Sequence, residues 1–184
     1  ILEAYEFGQR VFGENKVQDL AAKAEVLPKD IEWHMIGHLQ TNKVKYIASF
    51  VSLIHGIDSF KLLKEVNKRA AQHNRVIDCL LQIHISQEET KYGLDKIEAQ
   101  EVLEASNTLK NVRIIGLMGM ATNTKDELKV GAEFAGLKDL SIELRAKNNN
   151  LQTCSMGMSG DYLLAVKQGS TMVRVGSAIF GSRN

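Results

Sequence analysis

The chain of 184 residues has one proline, Pro28, and two cysteines, Cys79 and Cys154. A single proline rules out Pro-rich linkers. The cysteines sit in separate apolar runs without metal or redox spacing, so they read as buried, reduced thiols of a cytosolic protein. An excess of one charge is lacking too. Lys and Arg total 23 against 22 Asp and Glu, a net charge of +1, which removes the electrostatic argument for a nucleic-acid or membrane-surface partner. No apolar run approaches the roughly 18 residues of a membrane span. There is no Gly-x-Ser-x-Gly elbow, no His-Glu-x-x-His and no compact His/Asp/Glu cluster, so neither nucleophilic hydrolysis nor a metal site is expected.

What is present is an ordinary globular composition, 44% apolar and 24% charged, in a length that suits one domain with a real core. The first residue is Ile1. Ile1–Gly8 reads as the second half of an amphipathic helix, with neither the basic start nor the cleavage site of a signal peptide. The chain is therefore expected to begin in mid-element.

Short apolar runs alternate with segments of helical period. Strands are expected at Arg10–Phe12, Glu32–Ile36, Val51–Ile54, Ile77–Ile85, Val112–Met118, Thr153–Met156 and Met172–Val175. Between them, Thr124 with Glu127 and Asp95 with Glu98 have capping-box spacing. Thr41, Ser59 and Ser159 are expected as further caps, with Gly169 at a left-handed C′ position. This alternation is the α/β signature of a parallel sheet. A doubly wound sheet favours a Gly-x-Gly-x-x-Gly turn after its opening strand. None is present, so a barrel is preferred.

In a βα barrel the loops after the strands form the active face. Those loops are Gly13–Lys16, Gly37–Lys43, His55–Ser59, Ser86–Gly93, Gly119–Thr122, Gly157–Asp161 and Gly176–Gly181. The last two combine small residues with a serine hydroxyl at a strand-to-helix turn, where backbone amides can converge on an anion. Barrels place a phosphate site after their last two strands. Ser159 and Ser177, with the amides of Gly176 and Ser177, are the donors expected there, unless the glycines only make turns and Ser159 only caps a helix. Arg174 alternates with Val173 and Val175 and can reach a bound ring or acid, or pair with a carboxylate inside the barrel. Asn15 suits a ring substituent or its own loop. His55 and His84 read as structural, and His38 remains a candidate. Glu88–Lys91 reads as a solvated loop of mixed charge.

These segments carry a resemblance. F-G-E-N at Phe12–Asn15, I-G-H-L-Q-T-N-K at Ile36–Lys43, I-D-S at Ile57–Ser59 and E-E-T-K-Y-G at Glu88–Gly93 are followed by G-L-M-G-M-A at Gly116–Ala121. S-M-G-M-S at Ser155–Ser159 and V-R-V-G-S-A-I-F-G at Val173–Gly181 complete the set. In this order, over essentially the whole chain, the pattern resembles the pyridoxal phosphate homeostasis protein family, whose barrel is alanine-racemase-like. The resemblance implies a (β/α)8 TIM-type barrel, here a single domain over 1–184 lacking its first strand and the start of its first helix. It implies pyridoxal 5′-phosphate at the barrel mouth, with Asn15, His38, Ser155, Met158, Ser159, Arg174, Gly176 and Ser177 as binding residues.

In that resemblance the phosphate lies on the Met158/Ser159 and Gly176/Ser177 loops, Arg174 faces the pyridine nitrogen and Asn15 lies beside the ring. A guanidinium at that nitrogen disfavours its protonation, making the ring a poorer electron sink. The family's Schiff-base lysine is expected upstream of Ile1, and Lys16, Lys43, Lys91 and Lys167 match other parts of the pattern. The function implied is holding or delivering cofactor in vitamin B6 homeostasis, in the cytoplasm, without turnover. Pyridoxal phosphate-dependent enzymes would be the recipients. The alternatives are an amino-acid racemase and a barrel for another phosphorylated metabolite. Racemisation needs an acid/base group on each face of the substrate carbon. Barrel racemases take one from an extra β domain, whereas this sequence ends directly after the last loop.

Overall fold

The computed structural model describes residues 1–86 and 92–181. A short helix α1 (Leu2–Glu6) leads into strand β1 (Val11–Glu14) and helix α2 (Val17–Val26). Then come β2 (Glu32–Met35), a 3-10 segment (Thr41–Tyr46), β3 (Leu53–Ile57), α3 (Phe60–Gln72), β4 (Ile77–Ile83) and α4 (Lys96–Ser106). The chain continues through β5 (Val112–Gly119), α5 (Glu127–Lys147), β6 (Thr153–Met158), α6 (Tyr162–Lys167), β7 (Met172–Arg174) and α7 (Ser177–Phe180). All seven strands are parallel and pair in sequence order. They form a nearly closed barrel. Among the described residues β1 pairs only with β2, and β7 only with β6.

Alternation along the strands makes two apolar layers. Phe12, Trp33, Met35, Ile54, Cys79, Leu81, Leu117 and Cys154 belong to the large core under the helices, with Leu63 and Val66 of α3 and Phe134, Leu137 and Leu144 of α5. Leu53, Leu80 and Met118, with Met172 against them, fill a smaller cluster inside the barrel. Strands buried on both faces leave every polar side chain among them in need of a partner.

Local chemistry accounts for most element starts. Asp95 and Glu98 make both bonds of the capping box on α4, at 2.8 and 2.9 Å. Ser59 Oγ accepts the Leu62 amide at the start of α3. Gly169, with φ +86°, ends the turn after α6, a conformation that costs L side chains strain.

Three expectations are corrected. The cap of α5 is Asp126, which accepts from Leu128 and Lys129, while Thr124 only accepts the Asp126 amide. The nearer carboxylate outcompetes the hydroxyl for the free amides. Thr41 caps nothing: Gln40 precedes the 3-10 turn and no side chain closes it. The third strand runs on through His55 and Gly56, which read as loop in the sequence. Gly56 marks a close approach there, because a Cβ would lie 3.0 Å from the Gly37 carbonyl oxygen.

Of the segment Glu88–Gly93, Glu88–Lys91 lies outside the described residues. No helix among the described residues is long and apolar enough to cross a membrane.

Candidate functional site

Strands β6 and β7 end at the same mouth of the barrel, and the turns that follow them meet. The Ser159 hydroxyl accepts the Gly176 amide at 3.1 Å and the Ala178 amide at 3.3 Å. Two backbone N–H groups converging on one oxygen is the arrangement that holds a phosphate oxygen. The second amide is that of Ala178, where the sequence suggested Ser177. Helix α7 has only four residues, so the amides themselves, more than any helix dipole, are the donors. Ser177 opens that helix and Gly176 precedes it.

Ser159 does not cap α6. That helix starts after Asp161, which makes no cap bond to it. Asp161 Oδ1 instead accepts the Met158 amide at 2.6 Å. The Met158 amide is thus held within its own turn, and the residue is 40% exposed at the end of β6.

Arg174, at the end of β7, turns into the barrel. Nη1 donates to the carbonyl of Ser155 at 3.0 Å and to its hydroxyl at 2.7 Å, and Nη2 donates to the Gly119 carbonyl at 3.1 Å. All three acceptors are neutral. Burial pushes the guanidinium pKa down to about 10, with Asp161 and Cys154 acting the other way. It stays cationic at neutral pH.

Ser155 is fully buried on β6, and its Oγ also lies 3.1 Å from His55 Nδ1. His55 Nε2 in turn lies 3.2 Å from His34 Nδ1. Burial drives His34 down to about 4, the Asp78 charge acting in the other direction. Burial also lowers His55, helped by the charge of Arg174. Both rings are neutral at pH 7.

Asn15 is exposed at the end of β1. The Gly37 loop presses on its backbone so closely that a Cβ at Gly37 would sit 2.2 Å from the Asn15 carbonyl oxygen. His38 has partners of its own. Nδ1 lies 3.4 Å from Asp58 Oδ2, and the ring stacks on Tyr92 with centroids 4.1 Å apart. His38, Gln40, Thr41, Asp58 and Ser59 line an open recess of about 440 Å³. The structure therefore gathers Ser155, Met158, Ser159, Arg174, Gly176 and Ser177 after β6 and β7. Asn15 and His38 stand on the loops after β1 and β2.

The sequence reading missed His34, took His55 as structural, and did not single out Tyr92, although the loops it placed on this face include both His55 and Tyr92. For the histidines a signal existed: each is a polar residue within a buried apolar strand.

The family model for the alanine racemase N-terminal domain matches residues 1–184. The pyridoxal phosphate homeostasis protein of Aquifex aeolicus is 42% identical to the chain, over 100% of this chain and 81% of its own length. The chain belongs to the pyridoxal phosphate homeostasis protein family.

A homeostasis protein from Schizosaccharomyces pombe is 40% identical, over 100% of this chain and 78% of its own. PipY of Synechococcus elongatus, solved with pyridoxal phosphate bound, superimposes with a TM-score of 0.87 at 36% identity, covering 98% of this chain and 85% of PipY. Alanine racemase from Bartonella henselae, 17% identical with a TM-score of 0.69, shares the fold alone.

Proposed function

We propose that this chain binds pyridoxal 5′-phosphate at the mouth of its barrel, and that it holds or delivers the cofactor in vitamin B6 homeostasis without turning over substrate. One observation carries the reading: a half-buried guanidinium with only neutral acceptors stands beside two amides already converging on one oxygen. A phosphate oxygen suits the place that the Ser159 hydroxyl takes, and a ring nitrogen suits the cation.

Bound pyridoxal phosphate supplies an aldehyde and an electron-accepting ring. The chain's own residues bind and orient it. Ser159, Gly176, Ser177 and the turn at Met158 hold the phosphate, Arg174 donates to the pyridine nitrogen, and Asn15 and His38 bound the ring side. A cation fixed at that nitrogen keeps it unprotonated, which favours holding the ring over carbanion chemistry. The cytoplasm is the proposed location, and cofactor-dependent enzymes are the proposed recipients.

Titration of the chain with pyridoxal phosphate, followed by absorbance and equilibrium dialysis, tests this. The expected result is saturable binding, weakened at least about tenfold in Arg174→Leu. No amino-acid racemisation is expected. Binding of other phosphorylated metabolites but not of pyridoxal phosphate would overturn the reading, and so would robust racemisation.

A further inference from the structure

Arg174, Ser155, His55 and His34 form one file of hydrogen bonds across the barrel interior, from β7 to β2, and its protons can be counted. A guanidinium has donors only. At Ser155 Oγ it takes a lone pair, and its charge turns the O–H dipole away from itself. The hydroxyl proton therefore points to His55 Nδ1. A neutral imidazole that accepts at Nδ1 carries its proton on Nε2. That Nε2–H faces His34 Nδ1, which accepts in turn, so His34 also keeps its proton on Nε2. Every bond runs in the same direction. The file contains no carboxylate, and Asp78, whose charge acts on His34, is itself bonded twice to Arg113.

We propose that Ser155, His55 and His34 are positioning residues, a one-way hydrogen-bond file that fixes the Arg174 guanidinium toward the cofactor's ring nitrogen without neutralising it. This rests on the pyridoxal phosphate site proposed above. A carboxylate would also anchor Arg174, but it would cancel the field that keeps the ring nitrogen unprotonated. Neutral lone pairs anchor the cation and leave its charge intact. The direction of the file matters because Ser155 offers its lone pair best when its own proton has a fixed acceptor. His55 is that acceptor, and His34 holds His55 in the required tautomer.

Two measurements on the full chain test the file. The first is nitrogen NMR of the histidine rings at neutral pH without cofactor. His55 and His34 should both be Nε2–H tautomers, and Ser155→Ala should convert His55 to a mixture. An Nδ1–H tautomer at His55 in the unmodified chain would overturn the file. The second is pyridoxal phosphate affinity in His55→Phe, which keeps ring volume but removes the acceptor, and in His55→Asn, which returns a carbonyl oxygen near the Nδ1 position. His55→Phe should weaken binding about tenfold and His55→Asn should recover most of that. Neither change should have an effect in an Arg174→Leu background, where nothing remains to be positioned. Equal losses with and without Arg174 would overturn the positioning role. If the tautomers are as stated but the unmodified chain binds no pyridoxal phosphate, the cofactor site fails and the file's proposed purpose with it, while its direction stands.

Discussion

The Ser159 hydroxyl bonds the Gly176 amide at 3.1 Å across the two turns that end β6 and β7. This contact joins loops from different βα units and aims the amides of Gly176 and Ala178 at one point. In the proposed site an incoming phosphate oxygen would take those donors, and the freed hydroxyl would turn its own proton to the phosphate. Ser159→Ala should therefore lose both the preset loop and one donor. The expected outcome is about fivefold to tenfold weaker binding of pyridoxal phosphate, with the folded state little changed, since a single neutral hydrogen bond is worth about 1 kcal/mol. Unchanged affinity would remove Ser159 from the site.

His34 links stability to pH. Its folded pKa is about 4 against an ordinary 6.5, so between these values the unfolded chain binds more protons. Stability should be level above pH 6.5 and should fall as the pH drops toward 4, by about 3 kcal/mol in full. His55, also lowered, acts in the same sense. Urea melts at pH 7 and pH 5 measure the slope. His34→Asn, which cannot titrate, should flatten it, and an equally steep slope in that variant would contradict the assignment.

The start of α5 gives a local comparison. Asp126 accepts two amides there, at 3.1 and 3.2 Å, and Thr124 accepts only that of Asp126. Asp126→Ala should cost about 1 kcal/mol. Thr124→Ala should cost less. The reverse order in chemical denaturation would restore Thr124 as the cap.

Cys79 and Cys154 are both buried. Burial raises the Cys79 thiol far above its ordinary range and the Cys154 thiol to about 11. With thiolate scarce and access closed, neither should react with a disulfide reagent in the native chain. Both should react in denaturant. Fast labelling of either native thiol would show that the layer between sheet and helices opens readily.

Strand and helix order was legible because it rests on local signals. The apolar runs from Ile77 and Val112 begin at the observed starts of β4 and β5, and Asp95 with Glu98 announced α4. The turns after β6 and β7 were legible for the same reason, since small residues after the last two strands are a local feature. Boundaries failed where a residue has two uses. Gly56 reads as a turn but serves a close strand approach, and Ser159 reads as a cap but reaches the next loop. The capping reading at Thr124 failed because a carboxylate two positions on reaches the same amides.

By itself, the sequence determined the alternation of strands and helices, their parallel order, and the two loops rich in small residues at the barrel mouth. Each depends on periodicity or turn chemistry within a few residues. Only the tertiary structure decided what Arg174 touches, that His55 meets a serine 100 positions away, and that His34 closes the file. Those contacts follow from curling the sheet so that β2, β3, β6 and β7 share one interior. Buried polar groups there must find partners across the barrel. No local pattern encodes which one each will find.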